Sequence, residues 1–405
     1  MHQARVWLLL LPLLLASACA LGGGSTPTAQ QPTPTASTRE DTPTINSRPP
    51  TSTVRQTATP RARLTTAATS VPTATAPTEI AYLRGGEVWL VAATGGKPRR
   101  IASGHNASPA WSPAGRAVAY VRLRAGSGGG ALILHPIDGR PRVLVGAGVT
   151  QLAWSPDAKR LAYTRTVDRD ADRRLEPDAD RSTVSTVEVA SGRRNQIGPG
   201  FDPAWSPNGG VLLSTPGRVR GGVTQGNALR FYPPGGPGRV LVATSDVPSD
   251  LRQYGTPFLS TTRRLRHGAL SPDGKTVAFS ALGGVGILGT REVRGGQVQV
   301  QDLLAESGFG PVVWAPVGSR IAYHAPTPQG ADEVTVLDIN SGNRTVFGRQ
   351  GEPGYREPAW SANGRALALV EMGRDGPRAL VVSRGAGGRV RALVRGPVSS
   401  PSWSR

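Results

Sequence analysis

The chain has only one cysteine in 405 residues, and it lies near the N-terminus at position 19. A lone thiol cannot form a disulfide within the chain, so no cystine framework supports the fold. The apolar run from Val6 to Leu15 is too short to cross a bilayer, which takes about 20 residues. The sequence therefore excludes a disulfide scaffold, and this run is not a membrane-spanning helix.

Catalytic motifs are also missing. No Gly-x-Ser-x-Gly elbow occurs, and no helical period of ten or more residues exists to build a hydrolase domain. Gly126 to Gly130 lacks the lysine and helix that a phosphate loop requires. The histidines are scattered without metal-ligand spacing, at His105, His135, His267 and His324. We therefore predict no catalytic residue, no metal site and no cofactor.

One acidic cluster runs from Asp168 to Asp180. Its alternating aspartates resemble the start of a calcium loop, but the glycine that such a loop needs for its sharp turn is absent. Four arginines are interleaved with the carboxylates and neutralise them. A solvated loop is the favoured interpretation, and a calcium site is the alternative that a calcium titration would reveal.

Lysine occurs only at Lys97, Lys159 and Lys275, so arginine carries almost all of the net charge of +20. Residues 79–405 contain 41 basic and 25 acidic residues, a difference of +16. Such a surface attracts anionic polymers or lipid head groups. The alternative is an ordinary solvated surface whose basic residues are arginines and bind no partner.

The N-terminus predicts export. Arg5 precedes the apolar run, and Ala16-Ser17-Ala18 then leads to Cys19. A charged start, a short apolar run and a small-residue cleavage site define a signal peptide, here 1–18. The stretch from Leu15 to Cys19 resembles the bacterial lipoprotein signal, with Ala16 where leucine is usual. It implies an extracytoplasmic protein anchored through lipidated Cys19 and no contact with nucleic acid; a soluble secreted product is the alternative.

Residues 19–78 are predicted to form a lipidated, disordered linker. Threonine, proline, alanine, serine and glutamine dominate from Gly22 to Thr78. Such a segment cannot bury enough apolar surface to offset its ordering entropy. Proline keeps it semi-extended, so it acts as a spacer between the membrane and the rest of the chain.

The remainder, 79–405, repeats one motif: tryptophan, serine, proline, aspartate or asparagine and glycine, followed by aliphatic, alanine and aromatic positions. Proline and the Asp/Asn-Gly pair favour a tight turn between two antiparallel strands, so these acidic positions are structural. Motif positions 111, 154, 205, 270, 314, 360 and 403 are 43, 51, 65, 44, 46 and 43 residues apart. Six of the eight tryptophans serve as predicted packing residues of the repeat: Trp111, Trp154, Trp205, Trp314, Trp360 and Trp403.

The two ends of this region complete each other. Ile80-Ala81-Tyr82 matches a second strand without a first, whereas Ser400 to Arg405 matches a first strand without a second. Their pairing closes a ring and removes both sheet edges. We therefore predict an all-β fold, a β-propeller of four-stranded blades. Six complete copies of the motif and the split one favour seven blades, and six blades is the alternative because the fifth unit has a weak fourth strand near Ala305 to Phe309. The long units contain two insertions, Asp168–Asp180 and Ser245–Arg266.

This repeat resembles that of TolB-like propellers over roughly 79–405. Asp157, Asn208, Asp273 and Asn363 occupy the family's aspartate position, while Ala114 and Val317 depart from it. The resemblance implies a monomeric, non-catalytic module that binds a protein or an anionic envelope polymer, and the two insertions are the candidate contact surface. The alternative is a propeller enzyme, a lyase or hydrolase of envelope carbohydrate, with carboxylates or histidines converging at the channel mouth.

Overall fold

A computed structural model describes residues 78–124, 129–169, 175, 180–220, 223–225, 227–250, 264–282, 285–305, 310–326, 332–348, 353–385 and 389–404. The chain divides into two units, Met1–Ser70 and Val71–Arg405. In the described ranges of the second unit the regular structure is β, and the single helical element is a 3₁₀ turn at Thr244–Asp246. Within those ranges no helix has the length and hydropathy needed to span a bilayer.

The strands form sheets in which each strand is antiparallel to its neighbour. The first sheet contains β29 (Ser399–Trp403), β1 (Glu79–Arg84), β2 (Glu87–Ala92) and β3 (Arg99–Ala102). A seven-stranded sheet contains β4 (Asn106–Trp111), β5 (Ala117–Leu123), β6 (Gly130–Pro136), β7 (Arg142–Trp154), β8 (Arg160–Val167), β9 (Arg181–Glu188) and β10 (Arg194–Pro199).

Four further sheets of four strands follow. They contain β11 (Phe201–Trp205), β12 (Val211–Ser214), β15 (Ala228–Tyr232) and β16 (Arg239–Ala243); β17 (Arg264–Leu270), β18 (Thr276–Leu282), β19 (Val285–Glu292) and β20 (Gln299–Ala305); β21 (Val313–Trp314), β22 (Arg320–Pro326), β23 (Asp332–Asp338) and β24 (Arg344–Phe347); and β25 (Gly354–Trp360), β26 (Ala366–Gly373), β27 (Gly376–Arg384) and β28 (Val390–Arg395). A short ribbon pairs β13 (Arg218–Arg220) with β14 (Val223–Gln225).

The predicted closure is confirmed. β29 pairs antiparallel with β1, so that Ile80 lies opposite Trp403 and Leu83 lies opposite Ser399. The Ser404 N–H donates to the carbonyl of Glu79, and the Glu79 N–H donates to Ser404 Oγ, each at 2.8 Å. The end of the chain therefore supplies the first strand of the sheet that its beginning starts.

The sheets follow one another in a ring. The first strands of the repeat (β29, β4, the second half of β7, β11, β17, β21 and β25) contact one another in that cyclic order. We number the repeats in chain order, with unit 1 the sheet of β29 and β1–β3. Units 2 and 3 share the long strand β7, which pairs with β6 through its first half and with β8 through its second. The all-β propeller is confirmed, whereas the count of seven blades stays a prediction because units 2 and 3 form one continuous sheet.

Two details of the prediction were wrong. Unit 5 has a complete fourth strand, because Gln299–Ala305 pairs with β19 along its length, so the strand lies earlier than Ala305 to Phe309. The insertion predicted to run from Ser245 to Arg266 ends sooner, because β17 already begins at Arg264. Most of both insertions, including 170–174, 176–179 and 251–263, lies outside the described residues.

Apolar clusters fill the gaps between consecutive units. Second-strand residues such as Tyr82, Tyr120 and Tyr323 are fully buried there, as the aliphatic-alanine-aromatic pattern predicts. The cluster between units 3 and 4 is the smallest, with Val184, Val211 and Leu213 as its buried members. That joint therefore depends more than the others on polar contacts.

The turns after the first strands have a common hydrogen-bonding pattern. In unit 3, Ser155 Oγ donates to Asp157 Oδ1 at 2.6 Å and accepts from the Arg160 N–H at 2.8 Å. The hydrogen bond from Ser155 holds the pKa of Asp157 below its usual value. Ser271 and Asp273 repeat the arrangement in unit 5. The turn aspartates are thus bonded within their own turns, which agrees with their predicted structural role.

Ala158 occupies the turn position at which five other units have glycine, and its φ is +57°. A non-glycine residue in this left-handed region carries strain of about 1–2 kcal/mol, which exceeds the ~0.4–1 kcal/mol by which glycine favours the unfolded chain. We expect Ala158→Gly to raise the free energy of unfolding by about 0.5–1 kcal/mol, measured by urea denaturation.

The matched control is Gly274→Ala in unit 5. Gly274 has a φ of +70°, and a Cβ there would meet Pro207 Cδ at 3.6 Å without a clash. The same strain argument predicts a loss of stability of similar size. Two changes of the same sign would show that φ does not govern these turns.

Candidate functional site

The repeat tryptophans link consecutive units. Four indole Nε1 groups each donate to the carbonyl of the residue just before the motif position in the preceding unit, at 3.0–3.1 Å. The pairs are Trp154 with Ala110, Trp205 with Ala153, Trp314 with Ala269, and Trp360 with Val313. The predicted packing residues therefore also act as hydrogen-bonded joints of the ring.

This chain of indole bonds is interrupted at three joints. Leu270 replaces tryptophan in unit 5 and has no N–H to offer to the equivalent carbonyl, that of Ala204. Trp111 and Trp403 are 6% and 8% exposed, and their buried Nε1 atoms have no hydrogen-bond partner among the described residues. At the seam, the Trp111 backbone N–H instead donates to Ser402 Oγ at 3.0 Å. The joint between the closing strand and unit 2 therefore has a bond from a backbone N–H to a side chain where four other joints have an indole bond.

A second repeated position lies three residues before each motif tryptophan or leucine. In five units it carries a non-glycine residue with φ between +51° and +54°: Ser108, Asp202, His267, Glu357 and Ser400. The strand pairing shifts register at these points. Gln151 and Pro311 occupy the position in the other two units. Such backbone strain is characteristic of functional sites, and the ring of first strands brings these positions toward one centre.

Units 3, 4 and 5 contribute side chains to a polar cluster around this position. We call it the Asp202 cluster (Gln151, Asp202, Arg266 and His267). Gln151 Nε2 donates to Asp202 Oδ1 at 2.6 Å, and Gln151 Oε1 accepts from the Asp202 N–H at 2.8 Å. Arg266 Nε donates to Asp202 Oδ2 at 2.7 Å, and the His267 N–H reaches the same oxygen at 3.2 Å. The cluster joins units 3, 4 and 5, where the apolar cluster between units 3 and 4 is smallest.

The electrostatics of the cluster follow from burial and pairing. The Asp202 side chain is 6% exposed, and burial by itself raises its pKa. The charge that the His267 ring carries in acid, the charge and hydrogen bonds of Arg266 and the hydrogen bond from the His267 backbone outweigh that effect and lower the pKa of Asp202 below its usual value. Burial lowers the pKa of His267, and Asp202 only partly opposes this. Near neutral pH the cluster therefore holds an ionised aspartate, a charged arginine and a neutral histidine.

The hydrogen-bonding capacity of Asp202 is fully used. Each of its carboxylate oxygens accepts two hydrogen bonds from within the protein. Such a carboxylate is a poor general base, since its proton affinity is lowered and its lone pairs are occupied. The His267 ring is different: Nδ1 lies 3.8 Å from Asp202 Oδ2, beyond hydrogen-bond distance, and the side chain is 24% exposed. The cluster can position a partly exposed imidazole near the centre of the ring.

A related group lies between units 6 and 7. Asp332 Oδ1 accepts from Arg356 Nε at 2.6 Å and lies 2.8 Å from His324 Nε2. Arg356 stands in the same position of its strand as Arg266, four residues before the motif residue. Burial lowers the pKa of His324, and its bond to Asp332 opposes that shift. No group of three metal-binding side chains is present in the described part of the chain.

The opposite end of the first strands is apolar. A pocket of about 510 Å³ lies there, lined by residues of units 3 to 6. Its lining includes the motif residues Trp205, Leu270 and Trp314 and the turn prolines Pro156, Pro207, Pro272 and Pro316. Leucine is smaller than tryptophan, so Leu270 leaves room between its two indole neighbours. The centre of the ring thus has one polar end and one apolar end.

Strand direction places the described ends of both predicted insertions at the polar end. In each antiparallel sheet the connections from the first to the second strand and from the third to the fourth lie at one end of the strands. The connections from the second to the third strand and from the fourth strand to the next unit lie at the opposite end. Asp168–Asp180 joins a second to a third strand, and the Ser245 insertion joins a fourth to a first strand. We call the end of the strands that carries these two connections the insertion rim, and the opposite end, which carries the Ser-Pro turns, the turn rim.

Many arginines have structural partners between units. The guanidinium of Arg160 stacks over Trp205 at 4.8 Å, and that of Arg320 stacks over Trp360 at 5.2 Å. On the outer strands, Arg194 donates to the carbonyl of Leu144 at 2.8 Å, and Arg344 bonds Asp302 at 2.8 Å. The arginine excess is therefore in part a set of clamps between neighbouring sheets.

The sequence predictions for these sites have mixed outcomes. Cys19 lies outside the described residues, so its lipidation stays a prediction. The six tryptophans lie at the joints between units. The Asp202 cluster was missed because the histidines were compared with one another, whereas His267 shares its repeat position with Asp202 and Glu357. Counting three residues back from each motif tryptophan or leucine places Gln151, Asp202 and His267 at one repeat position, but it does not show that they touch.

No protein-family profile and no curated protein matches this sequence. Solved structures do match it. An oligogalacturonate lyase in complex with manganese is 11% identical with a TM-score of 0.52, covering 76% of this chain and 83% of that one. An acylaminoacyl peptidase of Pyrococcus horikoshii is 13% identical with a TM-score of 0.52, and the match covers 76% of this chain but 47% of the peptidase.

TolB from Acinetobacter baumannii also matches, at 15% identity and a TM-score of 0.45, over 81% of this chain and 83% of that one. Identities this low speak for the fold alone, and the neighbours include both enzymes and TolB proteins. The chain is a β-propeller, and the two solved structures with a TM-score of 0.52 share its fold.

Proposed function

We propose that this protein is a membrane-anchored, extracytoplasmic propeller that binds a protein or an envelope polymer at its insertion rim and performs no chemistry. The observation that carries this proposal is the saturated state of Asp202, whose oxygens accept hydrogen bonds from Gln151, Arg266 and the His267 backbone. A buried polar group held in this way fixes the geometry of the rim around it. A rigid scaffold that presents variable connections is a common design for binding proteins.

The anchor is proposed to be the lipidated Cys19, followed by a spacer up to Thr78. Several acyl chains together hold a protein on a membrane where one chain would release it. The sulfur of Cys19 is the attachment point, so Cys19→Ser is expected to let a high-salt wash release the protein from the membrane pellet, while the wild type stays in the pellet. An unmodified N-terminal residue in the wild-type mature protein, measured by mass spectrometry, would contradict the anchor.

Photo-crosslinking tests the binding rim directly. A photoreactive amino acid is placed at Arg169 or Ser249, which are exposed at the start of the two insertions, and compared with Lys159, exposed on the turn rim of the same unit as Arg169. Irradiation of intact cells is expected to give a discrete adduct from the first two positions and none from Lys159. Adducts from all three positions alike, or from none, would reject a binding site at the insertion rim.

A second candidate function is supported by one observation, the partly exposed His267 ring beside Asp202 at the centre of the ring. In a lyase or hydrolase of envelope carbohydrate, this imidazole would exchange a proton with the substrate. Incubation with purified envelope polysaccharide would then release new reducing ends or unsaturated products, and His267→Gln would abolish that release. Product formation in the wild type that this variant loses would replace the binding function with the enzymatic one.

A further inference from the structure

Basic side chains are concentrated on the turn rim of unit 7. A pocket of about 520 Å³ is lined by Val382 and three arginines: Arg384, Arg389 and Arg391. A neighbouring pocket of about 340 Å³ shares Val382 and Arg384 with it and adds Arg365 and Asn363 to the lining. Neither lining contains a carboxylate. We call the four arginines, Arg365, Arg384, Arg389 and Arg391, the arginine cluster.

The members of this cluster differ from the structural arginines described above. Arg391 alone is fixed, since its Nη1 donates to the carbonyl of Thr94 at 2.8 Å and its Nη2 to that of Ala93 at 3.0 Å. The guanidinium groups of Arg365, Arg384 and Arg389 have no hydrogen-bond or ion-pair partner in the described part of the chain. All four side chains are exposed. Unpaired guanidinium groups around a concave surface favour an anionic ligand whose oxygens accept paired hydrogen bonds, such as a phosphate.

The chain enters the propeller beside this cluster. Thr78 lines the second pocket, and its carbonyl accepts from the Ala93 N–H at 2.7 Å. Ala93 in turn supplies one of the carbonyls that hold Arg391. The residue at which the predicted spacer ends is therefore two hydrogen bonds away from the cluster.

We propose that the arginine cluster binds the anionic head groups of the membrane phospholipids, so that the turn rim faces the bilayer and the insertion rim faces away from it. The proposal rests on the proposed anchor at Cys19 for its orientation. For the predicted spacer, 60 residues from Cys19 to Thr78, random-coil scaling gives a root-mean-square span of roughly 45 Å, which holds the domain near the surface. At the resulting local concentration, even weak head-group contacts are occupied.

The test uses the predicted mature chain, residues 19–405, with Cys19→Ser, so that no lipid can attach and the apolar run from Val6 to Leu15 is absent. It measures sedimentation with vesicles of phosphatidylglycerol and phosphatidylcholine or of phosphatidylcholine alone. Binding to the anionic vesicles is expected to exceed binding to the neutral ones and to fall as salt rises. Each arginine near an anionic surface contributes about fivefold to partitioning, so Arg384→Ser with Arg389→Ser should weaken binding about thirtyfold.

The matched control is Arg374→Ser with Arg395→Ser. It removes the same charge from exposed positions at the other end of the same sheet. We expect its binding to stay within about twofold of the parent. Equal loss from both pairs would mean that only net charge matters, and equal binding to both kinds of vesicle would mean that no head group is recognised. Either result overturns the proposal.

Soluble polyphosphate provides the remaining arm. If the Arg384 and Arg389 substitutions abolish binding to polyphosphate but leave vesicle binding unchanged, the cluster serves an anionic polymer and the membrane assignment is wrong. None of these outcomes depends on whether Cys19 is lipidated in cells, so failure of the anchor and failure of this site are separable.

Discussion

A chain that ends after Val398 is expected to show no cooperative unfolding transition near that of the full-length protein. The missing residues include β29, whose Trp403 belongs to the apolar cluster between units 1 and 7 with Ile80 and Tyr82. Loss of a buried tryptophan side chain alone costs about 3–5 kcal/mol. The backbone pairing with β1 is lost as well, and the total then approaches the ~5–15 kcal/mol stability of a whole domain.

The same truncation opens the ring on both sides. Ser402 receives the Trp111 N–H from unit 2, and the Ser400 N–H donates to Glu357 of unit 7. With β29 absent, β1 becomes an exposed edge that can pair with other chains. Aggregation during expression is the expected companion of the lost transition.

Two controls separate strand loss from a general effect of truncation. A chain that ends at Ser404 keeps every described contact of β29 and should melt like the full-length protein. A synthetic peptide of residues 396–404, added to the chain that ends at Val398, should restore the transition, while a scrambled peptide should not. A truncated chain that melts like the full-length protein without any peptide would disprove closure by β29.

Asp202→Ala should give the second largest loss of stability, about 3–5 kcal/mol in denaturant unfolding. It removes the carboxylate that pairs with Arg266, whose side chain is 19% exposed, and removal of one member of a buried ion pair costs about this much. It also removes the acceptor of Gln151 at the joint between units 3 and 4, where few apolar residues are buried.

The double variant Asp202→Ala with Arg266→Ala tests the cause. If an uncompensated charge dominates, the double variant should be more stable than the sum of the single changes predicts, by about 1–3 kcal/mol. Glu188→Ala, which breaks the exposed pair of Glu188 with Arg193, should cause no measurable change. Strict additivity at Asp202 and Arg266 would mean that the ion pair does not act as a unit.

Much of the fold could be predicted because the same turn-and-strand motif recurs at seven positions along the chain. The Trp-Ser-Pro turn and the aliphatic-alanine-aromatic strand have local causes, namely proline geometry, left-handed glycine and alternation of burial. The closure could be predicted because Ile80 and Trp403 belong to complementary halves of one motif. The fourth strand of unit 5, Gln299–Ala305, was harder to place from the sequence. It is an outer strand, and its apolar and polar residues alternate only weakly.

The Asp202 cluster could not be derived from the sequence in the same way. Gln151, Asp202 and His267 are 51 and 65 residues apart and have different side chains, so no local pattern unites them. What they share is a bulged position in the strand, and a bulge depends on tertiary pairing as well as on residue type. The indole hydrogen bonds could not be predicted from the sequence either, because the presence of Trp154 does not indicate that its N–H will reach the carbonyl of Ala110.

The meeting of both chain ends at Glu79 also determines how mechanical load would pass through the molecule. A pull on the segment before Glu79 reaches first the two bonds between Glu79 and Ser404 and then the pairing of β1 with β29. These strands lie at the seam where the indoles of Trp111 and Trp403 make no bond to a neighbour. Tension would therefore be borne by a single sheet, and the far side of the ring, including the Asp202 cluster, would stay unstressed until that sheet parts.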